Sequence, residues 1–250
     1  MPTNTLAQWF ATPLGAYLLE KERAYLDDVT PDLFGFHALQ LGLPEYDLLR
    51  ENRITHRMRV DAVGEPDVYS KFHELPFATH SIDLVLMPHV LEFADEPHAI
   101  LREVDRVMMP EGRLVIVGFN PWSLWGMRSA LGYSRNEFPW NGRFVSLLRV
   151  KDWLALLGFD VNAGRLVGYA PPFDNAKLRG RFGFMEPAGD RWWAVGGAVY
   201  MLQAIKRVRG MRLITPAWQE KAAREKALVA AAKRQAHNGA KTAAHLRVVK

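Results

Sequence analysis

The sequence predicts an α/β protein built on a mostly parallel sheet with helices on both faces. Residues 81–87 (SIDLVLM) and 113–117 (RLVIV) are short apolar runs of the kind that form strands buried on both faces. Between them, a helix beginning at Pro97 presents one apolar stripe, made of Ile100, Leu101, Val104, Val107 and Met108. Strands alternating with helices in this way are typical of a parallel α/β sheet.

The chain before this unit follows the same alternation. Thr12 and Pro13 offer a capping side chain and a proline suited to the first helical turn, so a helix is predicted from there to Thr30. Three further elements are predicted: a strand over 36–41 that enters Gly42, a short helix over 44–50, and a strand over 54–60 that ends at Asp61.

The C-terminal half of the domain adds one helix and two strands. Residues 110–112 (PEG) are predicted to end the helix that begins at Pro97. A helix over 150–157 is closed by Gly158, which suits the left-handed position after a helix. Strands are predicted over 159–167 and 194–205.

Two long segments carry no predicted element. Residues 118–142 are rich in Trp, Gly, Asn and Arg, and a long loop in a compact domain is typical of a substrate lid. Residues 173–190 group Lys177, Arg179 and Arg181. We interpret this second segment as a solvated hairpin, and contact with an anionic acceptor is the alternative.

The composition excludes several classes of function. The 250 residues include no cysteine, which excludes disulfides, thiolate metal sites, iron–sulfur clusters and a cysteine nucleophile. No G-x-G-x-x-G follows a predicted strand, and neither a Walker A motif nor G-x-S-x-G occurs. No signal-peptide pattern and no apolar run of membrane-spanning length are present, so we expect a soluble, cytoplasmic protein.

Positive charge is concentrated at the C-terminal end. Residues 206–250 hold 12 lysines and arginines against two acids, a net +10, whereas the rest of the chain is formally −5. Residues 217–245 are rich in alanine, which favours helix formation but offers little apolar surface for packing. We predict a frayed, solvated extension over 209–250, and contact of residues 206–250 with a polyanion such as RNA is the alternative.

In α/β sheets of this kind, ligands bind beyond the carboxyl ends of the strands. This rule directs attention to the segments 42–44, Asp61, 87–89 and 118–121. Residues 74–116 then carry a specific resemblance. Their successive motifs are ELPF (74–77), SIDLVL (81–86), HVLEF (89–93), EP (96–97), LRE (101–103), DRV (105–107) and PEGRLVI (110–116). In this order and spacing, they resemble a class I S-adenosylmethionine (SAM)-dependent methyltransferase of the type 11 group.

The resemblance covers about residues 33–207 and implies a Rossmann-like, seven-stranded, mostly parallel sheet with a final antiparallel hairpin. It implies SAM as cofactor and S-adenosylhomocysteine as product. Together with the charge and helix patterns above, it divides the chain into three parts: an N-terminal helical extension (1–32), a methyltransferase-like domain (33–208) and the basic tail (209–250). The cofactor contacts that it implies are Gly42, Asp61, Lys71, Phe72, Leu75, Met87, Pro88 and His89.

Two motifs depart from the family. The turn after the first strand keeps Gly42 of the family's three glycines, and Leu43 and Pro44 follow it. Gln40 stands where the family often has an acid. Lys71 occupies the position of the adenine-contacting Asp, and a cation accepts no hydrogen bond from adenine.

The sequence therefore predicts a SAM-dependent methyltransferase that acts on a small molecule or an RNA-associated acceptor. His89 is the candidate catalytic residue, as a general base or as a group that orients the acceptor, and a structural role for it is the alternative. No metal site is predicted. The alternative function is a catalytically inactive methyltransferase fold that binds a protein or RNA partner.

Overall fold

A computed structural model describes residues 5–132, 137–173, 176–192 and 195–208. The described strands form one seven-stranded sheet in the order β3-β2-β1-β4-β5-β7-β6. They are β1 (His37–Leu41), β2 (His56–Asp61), β3 (Val68–Tyr69), β4 (Ile82–Pro88), β5 (Met108–Phe119), β6 (Phe159–Val167) and β7 (Val199–Lys206). The first five strands pair in parallel, whereas β7 runs antiparallel to both β5 and β6. The predicted sheet and its final antiparallel hairpin are confirmed.

Helices cover both faces of the sheet. They are α1 (Leu6–Phe10), α2 (Pro13–Val29), α3 (Pro97–Val107), α4 (Leu124–Ala130), α5 (Leu147–Leu156), α6 (Ala176–Arg181) and α7 (Met185–Trp192). The Thr12 hydroxyl accepts a hydrogen bond from the Gly15 amide, with Pro13 in the first turn of α2, as predicted. The left-handed Gly158 ends the segment after α5, also as predicted.

The core divides by the alternation of side chains along the strands. On β4, Leu84 and Leu86 face a cluster that includes α1 and α2, whereas Val85 and Met87 face a cluster that includes α3 and α5. The N-terminal helices therefore cover one face of the same sheet, with Phe10, Leu18 and Leu26 essentially without exposure to solvent.

Four local predictions were wrong. Residues 44–50 form turns rather than a helix, because the Gln40 side chain engages the carbonyls that a helix would use. Residues 110–112 lie inside β5, where an irregularity in the pairing with β4 absorbs them. The lid segment 118–142 contains α4, which begins at a Ser123 cap, and residues 173–190 contain α6 and most of α7 instead of a hairpin.

Within the described residues, no helix combines the length and the hydropathy that crossing a membrane requires. The proposed basic extension over 209–250 lies outside the described residues, and so does its contact with a polyanion. The boundary between the N-terminal extension and the domain stays a prediction.

Candidate active site

A large cavity of about 1200 Å³ opens at the carboxyl ends of β1, β2 and β4. Helix α1 and the turns that follow these three strands form its walls. The lining residues from the strand turns include Gly42, Leu43, Pro44, Glu45, Asp61, Ala62, Val63, Gly64, Pro88, His89 and Val90. Its position agrees with the general rule for α/β sheets.

The turn after β1 has two residues in succession with positive φ. Gly42 has φ +87° and Leu43 has φ +52°, so both adopt the left-handed region that disfavours residues with a Cβ. The Leu43 side chain is 6% exposed and packs in the core cluster of the N-terminal helices. The side chain is therefore held by core contacts, and the cavity that Leu43 and Asp61 both line stays open.

The Gln40 side chain holds this turn through hydrogen bonds to its backbone. Its Nε2 lies 3.1, 3.0 and 2.8 Å from the carbonyl oxygens of Gly42, Leu43 and Tyr46, and its Oε1 accepts from the Leu48 amide at 3.0 Å. A carboxylate at position 40 would provide no donor for these carbonyls. The departure from the family's acid therefore has a structural reason, since the amide side chain shapes the turn.

Asp61 ends β2 and faces the cavity. Its Oδ1 accepts hydrogen bonds from the amides of Ala62 (2.7 Å) and Val63 (3.2 Å). Burial raises the pKa of this carboxyl above its usual value, and the backbone hydrogen bonds partly offset the rise. Asp61 is thus a half-buried acceptor held in one orientation by its own turn.

The other predicted contacts divide into two groups. Lys71, Phe72, Pro88 and His89 line the cavity with Gly42 and Asp61. Leu75 and Met87 do not, because both side chains are buried in the core cluster of α3 and α5. The Leu75 amide instead donates to Glu103 Oε1 at 2.9 Å, which anchors this segment to α3.

His89 follows β4 with φ +54° and a side chain without solvent exposure. Its Nε2 lies 2.9 Å from Glu22 Oε1 on α2, and its Nδ1 lies 3.3 Å from Glu92 Oε1. Burial alone would lower the pKa of this imidazole. The charges and hydrogen bonds of Glu22 and Glu92 more than offset that effect and raise it to about 10. His89 is therefore an imidazolium held between two carboxylates.

The cavity wall is more acidic than basic. Four carboxylates contribute to the lining, from Glu45, Asp61, Asp95 and Glu96. Lys71 is the single lysine or arginine among the described residues of the lining. The wall therefore favours ligands that carry positive charge or none.

Sequence reasoning missed the contribution of the N-terminal helices. Residues 5–8 and Ala11 line the cavity, as do Phe93 and Phe138. The Tyr46 hydroxyl donates to the Ala7 carbonyl at 3.2 Å and fixes α1 beside the turn after β1. Glu22 lies 67 positions from His89 in the chain, so no local pattern could join the two.

Comparisons with known proteins agree with this architecture. Residues 47–116 match the family model described as a methyltransferase domain. The chain is 37% identical over 155 residues to the uncharacterized protein YafS of Escherichia coli K12, a match that covers 61% of this chain and 65% of that protein. The chain thus spans less than two thirds of the length of this curated relative.

Two solved structures share the fold at low identity. One is a putative methyltransferase in complex with the Haloferax volcanii Trm112 methyltransferase activator, with TM-score 0.56, 15% identity, and coverage of 82% of this chain and 99% of that one. The other is a SAM-dependent methyltransferase from Archaeoglobus fulgidus, with TM-score 0.52, 21% identity, and coverage of 76% and 99%. Residues 47–116 thus match a methyltransferase domain, and the described sheet has the same Rossmann-like fold as these two solved structures.

Proposed function

We propose that the chain transfers a methyl group from SAM to an acceptor inside the cavity at the carboxyl edge of the sheet. The observation that carries this proposal is the open space past the Gly42–Leu43 turn, with Asp61 in its wall. The departure from the glycine motif leaves this space open, because the Leu43 side chain lies in the core. We place the reaction in the cytoplasm, which stays a prediction from the sequence.

The residues present fit the cofactor. An oriented carboxylate such as Asp61 is a suitable acceptor for the two hydroxyls of a ribose. Phe72 lines the same wall and offers an apolar surface to an adenine ring, which compensates for the cation at Lys71. The acidic lining suits a ligand with a sulfonium and an ammonium group.

Bound SAM supplies an electrophilic methyl group, and the protein's part is to hold the nucleophile in line with it. A base is required only if the nucleophile arrives protonated. His89 as that base stays a prediction that the geometry does not favour, because an imidazolium between two carboxylates has no free acceptor nitrogen. We therefore assign His89 a positioning role and not that of a general base.

Calorimetric titration with S-adenosylhomocysteine tests this proposal. We expect saturable binding by the wild type and a loss of affinity of about tenfold or more in Asp61→Ala, since two charge-assisted hydrogen bonds disappear. Asp152→Ala on the exposed side of α5 is the matched control and should bind as the wild type does. Equal affinity in Asp61→Ala and the wild type would contradict the placement of the site.

The second candidate is an inactive methyltransferase fold that serves as a binding scaffold. The substitution of Leu43, Pro44 and Lys71 for family residues favours it, and one structural neighbour is a methyltransferase bound to an activator protein. A wild type that unfolds cooperatively yet shows no heat with S-adenosylhomocysteine would support the scaffold. The acceptor, a small molecule or an RNA-associated group, stays a prediction from the sequence.

A further inference from the structure

We infer that an exposed surface beside α4 docks onto an anionic membrane. The surface, which we call the aromatic surface, consists of six apolar side chains next to the basic helix α6: Trp122, Met127, Leu131, Phe173, Phe182 and Phe184. None of these six residues lines the cavity. The inference therefore goes beyond the proposed methyl transfer and does not depend on it.

Helix α4 contributes the first part of the aromatic surface. One side of the helix is anchored, because the buried Trp125 ring donates from Nε1 to the Ala170 carbonyl at 2.9 Å. Met127 and Leu131 lie four positions apart, which places them on one face of the helix, and both are exposed. Trp122, just before the helix, is 74% exposed. Three large apolar side chains thus reach the solvent from one short segment.

The phenylalanines that follow β6 extend this surface. Arg128 on α4 donates a hydrogen bond to the Pro172 carbonyl, which brings Phe173 beside the helix. The Phe182 ring lies 5.6 Å from the ring of Phe173 and 6.4 Å from that of Phe184. Apolar side chains scattered singly over a protein are ordinary, whereas a connected group of this size is typical of an interaction surface.

Positive charge lies next to the aromatic surface. Helix α6 contains three lysines and arginines and no acid, and it leads directly into Phe182. Lys177 and Arg181 on this helix are exposed. The carboxylate of Glu186 is directed to the backbone, since its Oε1 accepts from the amides of residues 169–170 at 3.0 and 3.3 Å. Cations beside exposed apolar side chains are typical of segments that bind anionic membranes.

The side chains favour a lipid surface over a nucleic acid. Bases stack on the faces of aromatic rings, but the three phenylalanine rings pack against one another. Met127 and Leu131 offer a base no stacking face, whereas lipid removes their apolar surface from water. Trp122 suits the membrane interface, because its ring is apolar and its N–H is polar. An apolar layer beneath anionic headgroups therefore complements both the aromatic surface and the cations of α6.

The test is sedimentation of the full chain with vesicles of phosphatidylcholine alone or of equal parts phosphatidylcholine and phosphatidylglycerol. Leu131→Asp places an acid on the aromatic surface at the C-terminal end of α4, and Met127→Asp is a second such variant. Leu156→Asp is the matched control, because it changes an exposed leucine at the end of α5, on the opposite face of the sheet. Thermal melts of the three variants establish that they fold.

We expect the wild type to sediment with the anionic vesicles and not with phosphatidylcholine alone. Leu131→Asp and Met127→Asp should each weaken this binding about tenfold or more, whereas Leu156→Asp should leave it unchanged. The basic residues after position 208 are present in every variant. A difference between Leu131→Asp and Leu156→Asp therefore reports the aromatic surface and not the basic tail.

The cations of α6 are tested separately. Lys177→Gln combined with Arg181→Gln removes two exposed charges and should weaken binding to the anionic vesicles about tenfold, since basic side chains near such a surface each contribute to binding. Arg149→Gln combined with Lys151→Gln removes two exposed charges of α5 and should leave the binding unchanged. Equal losses in the two double variants would show that α6 has no specific part in docking.

The same vesicle titrations can overturn the proposal. Equal binding by Leu131→Asp and Leu156→Asp would do so, as would a wild type that does not bind the anionic vesicles. A wild-type dimer in sedimentation velocity that Leu131→Asp dissociates would assign the aromatic surface to a second copy of the chain. Binding of poly(U) RNA that Leu131→Asp weakens about tenfold would assign it to nucleic acid. Either result would replace the membrane as the occupant.

Discussion

Two turns at the edge of the cavity share a positive φ but carry different side chains. Leu43 follows β1 with φ +52°, and His89 follows β4 with φ +54°. Both side chains are buried, Leu43 among apolar neighbours and His89 between Glu22 and Glu92. The left-handed conformation that glycine usually supplies is here stabilised by what each side chain contacts in the core.

The number of glycines is therefore a poor guide to whether the turn after β1 leaves space for a ligand. A glycine in such a motif serves the backbone path and leaves space beside it. At position 43 the backbone has the positive φ that glycine usually supplies, and the side chain is buried in the core cluster of the N-terminal helices. What matters for the ligand is where the Cβ is directed, which a motif does not record.

We call the turn after β4, which holds His89, the polar turn. Removing one partner of its ion pair should have the largest effect on the free energy of unfolding. Glu22→Ala removes one partner of a fully buried ion pair, and such changes cost about 3–5 kcal/mol of stability. Urea unfolding of the variant and the wild type measures the loss. Glu20→Ala, at an exposed position of the same helix, should change the unfolding free energy by less than about 0.5 kcal/mol. A similar small change for Glu22→Ala would show that the pair with His89 does not hold α2.

The turn after β1, which holds Leu43 and which we call the apolar turn, should respond differently when the Leu43 side chain is removed. Leu43→Ala and Leu43→Gly each remove buried leucine surface, at about 2–4 kcal/mol. At an ordinary buried position, glycine is the less stable of the two by up to about 1 kcal/mol. Here the left-handed φ penalises alanine, so we expect Leu43→Gly to unfold at the same urea concentration as Leu43→Ala or higher. If Leu43→Ala were more stable to unfolding than Leu43→Gly by about 1 kcal/mol, the left-handed φ at position 43 would not penalise alanine.

The pH dependence of stability gives a smaller and more selective test of the polar turn. The pKa of His89 is raised to about 10 in the folded chain, against about 6.5 when unfolded. The folded state therefore binds more protons between these values. The stabilisation is fully present below about pH 6.5 and is lost as pH rises through about 10.

Unfolding free energies at pH 7, 8, 9 and 10 should thus fall more steeply for the wild type than for His89→Gln. His98→Gln, which changes an exposed histidine, should keep the wild-type slope. Parallel curves for the wild type and His89→Gln would show that His89 is not the imidazolium described above.

Much of the sheet was predictable because its signals are local. The apolar runs of β4 and β5 and the apolar stripe of α3 can each be recognised within a short stretch of sequence. Gly42 and Asp61 could be predicted as site residues because each lies at the end of a predicted strand. The conformation of residues 44–50 could not be predicted in this way, because it depends on hydrogen bonds of the Gln40 side chain and not on helix propensity. The contribution of α1 to the cavity wall was missed for a related reason. This helix is only five residues long, and its position depends on tertiary contacts of Trp9 and Phe10.

A crystal structure of the chain with S-adenosylhomocysteine tests the central claim most directly. We expect the ribose hydroxyls on the Asp61 carboxylate, the amino-acid end against the backbone of the Gly42–Leu43 turn, and Leu43 still buried in the core. A ligand bound elsewhere, or a Leu43 side chain turned into the cavity in its place, would contradict it.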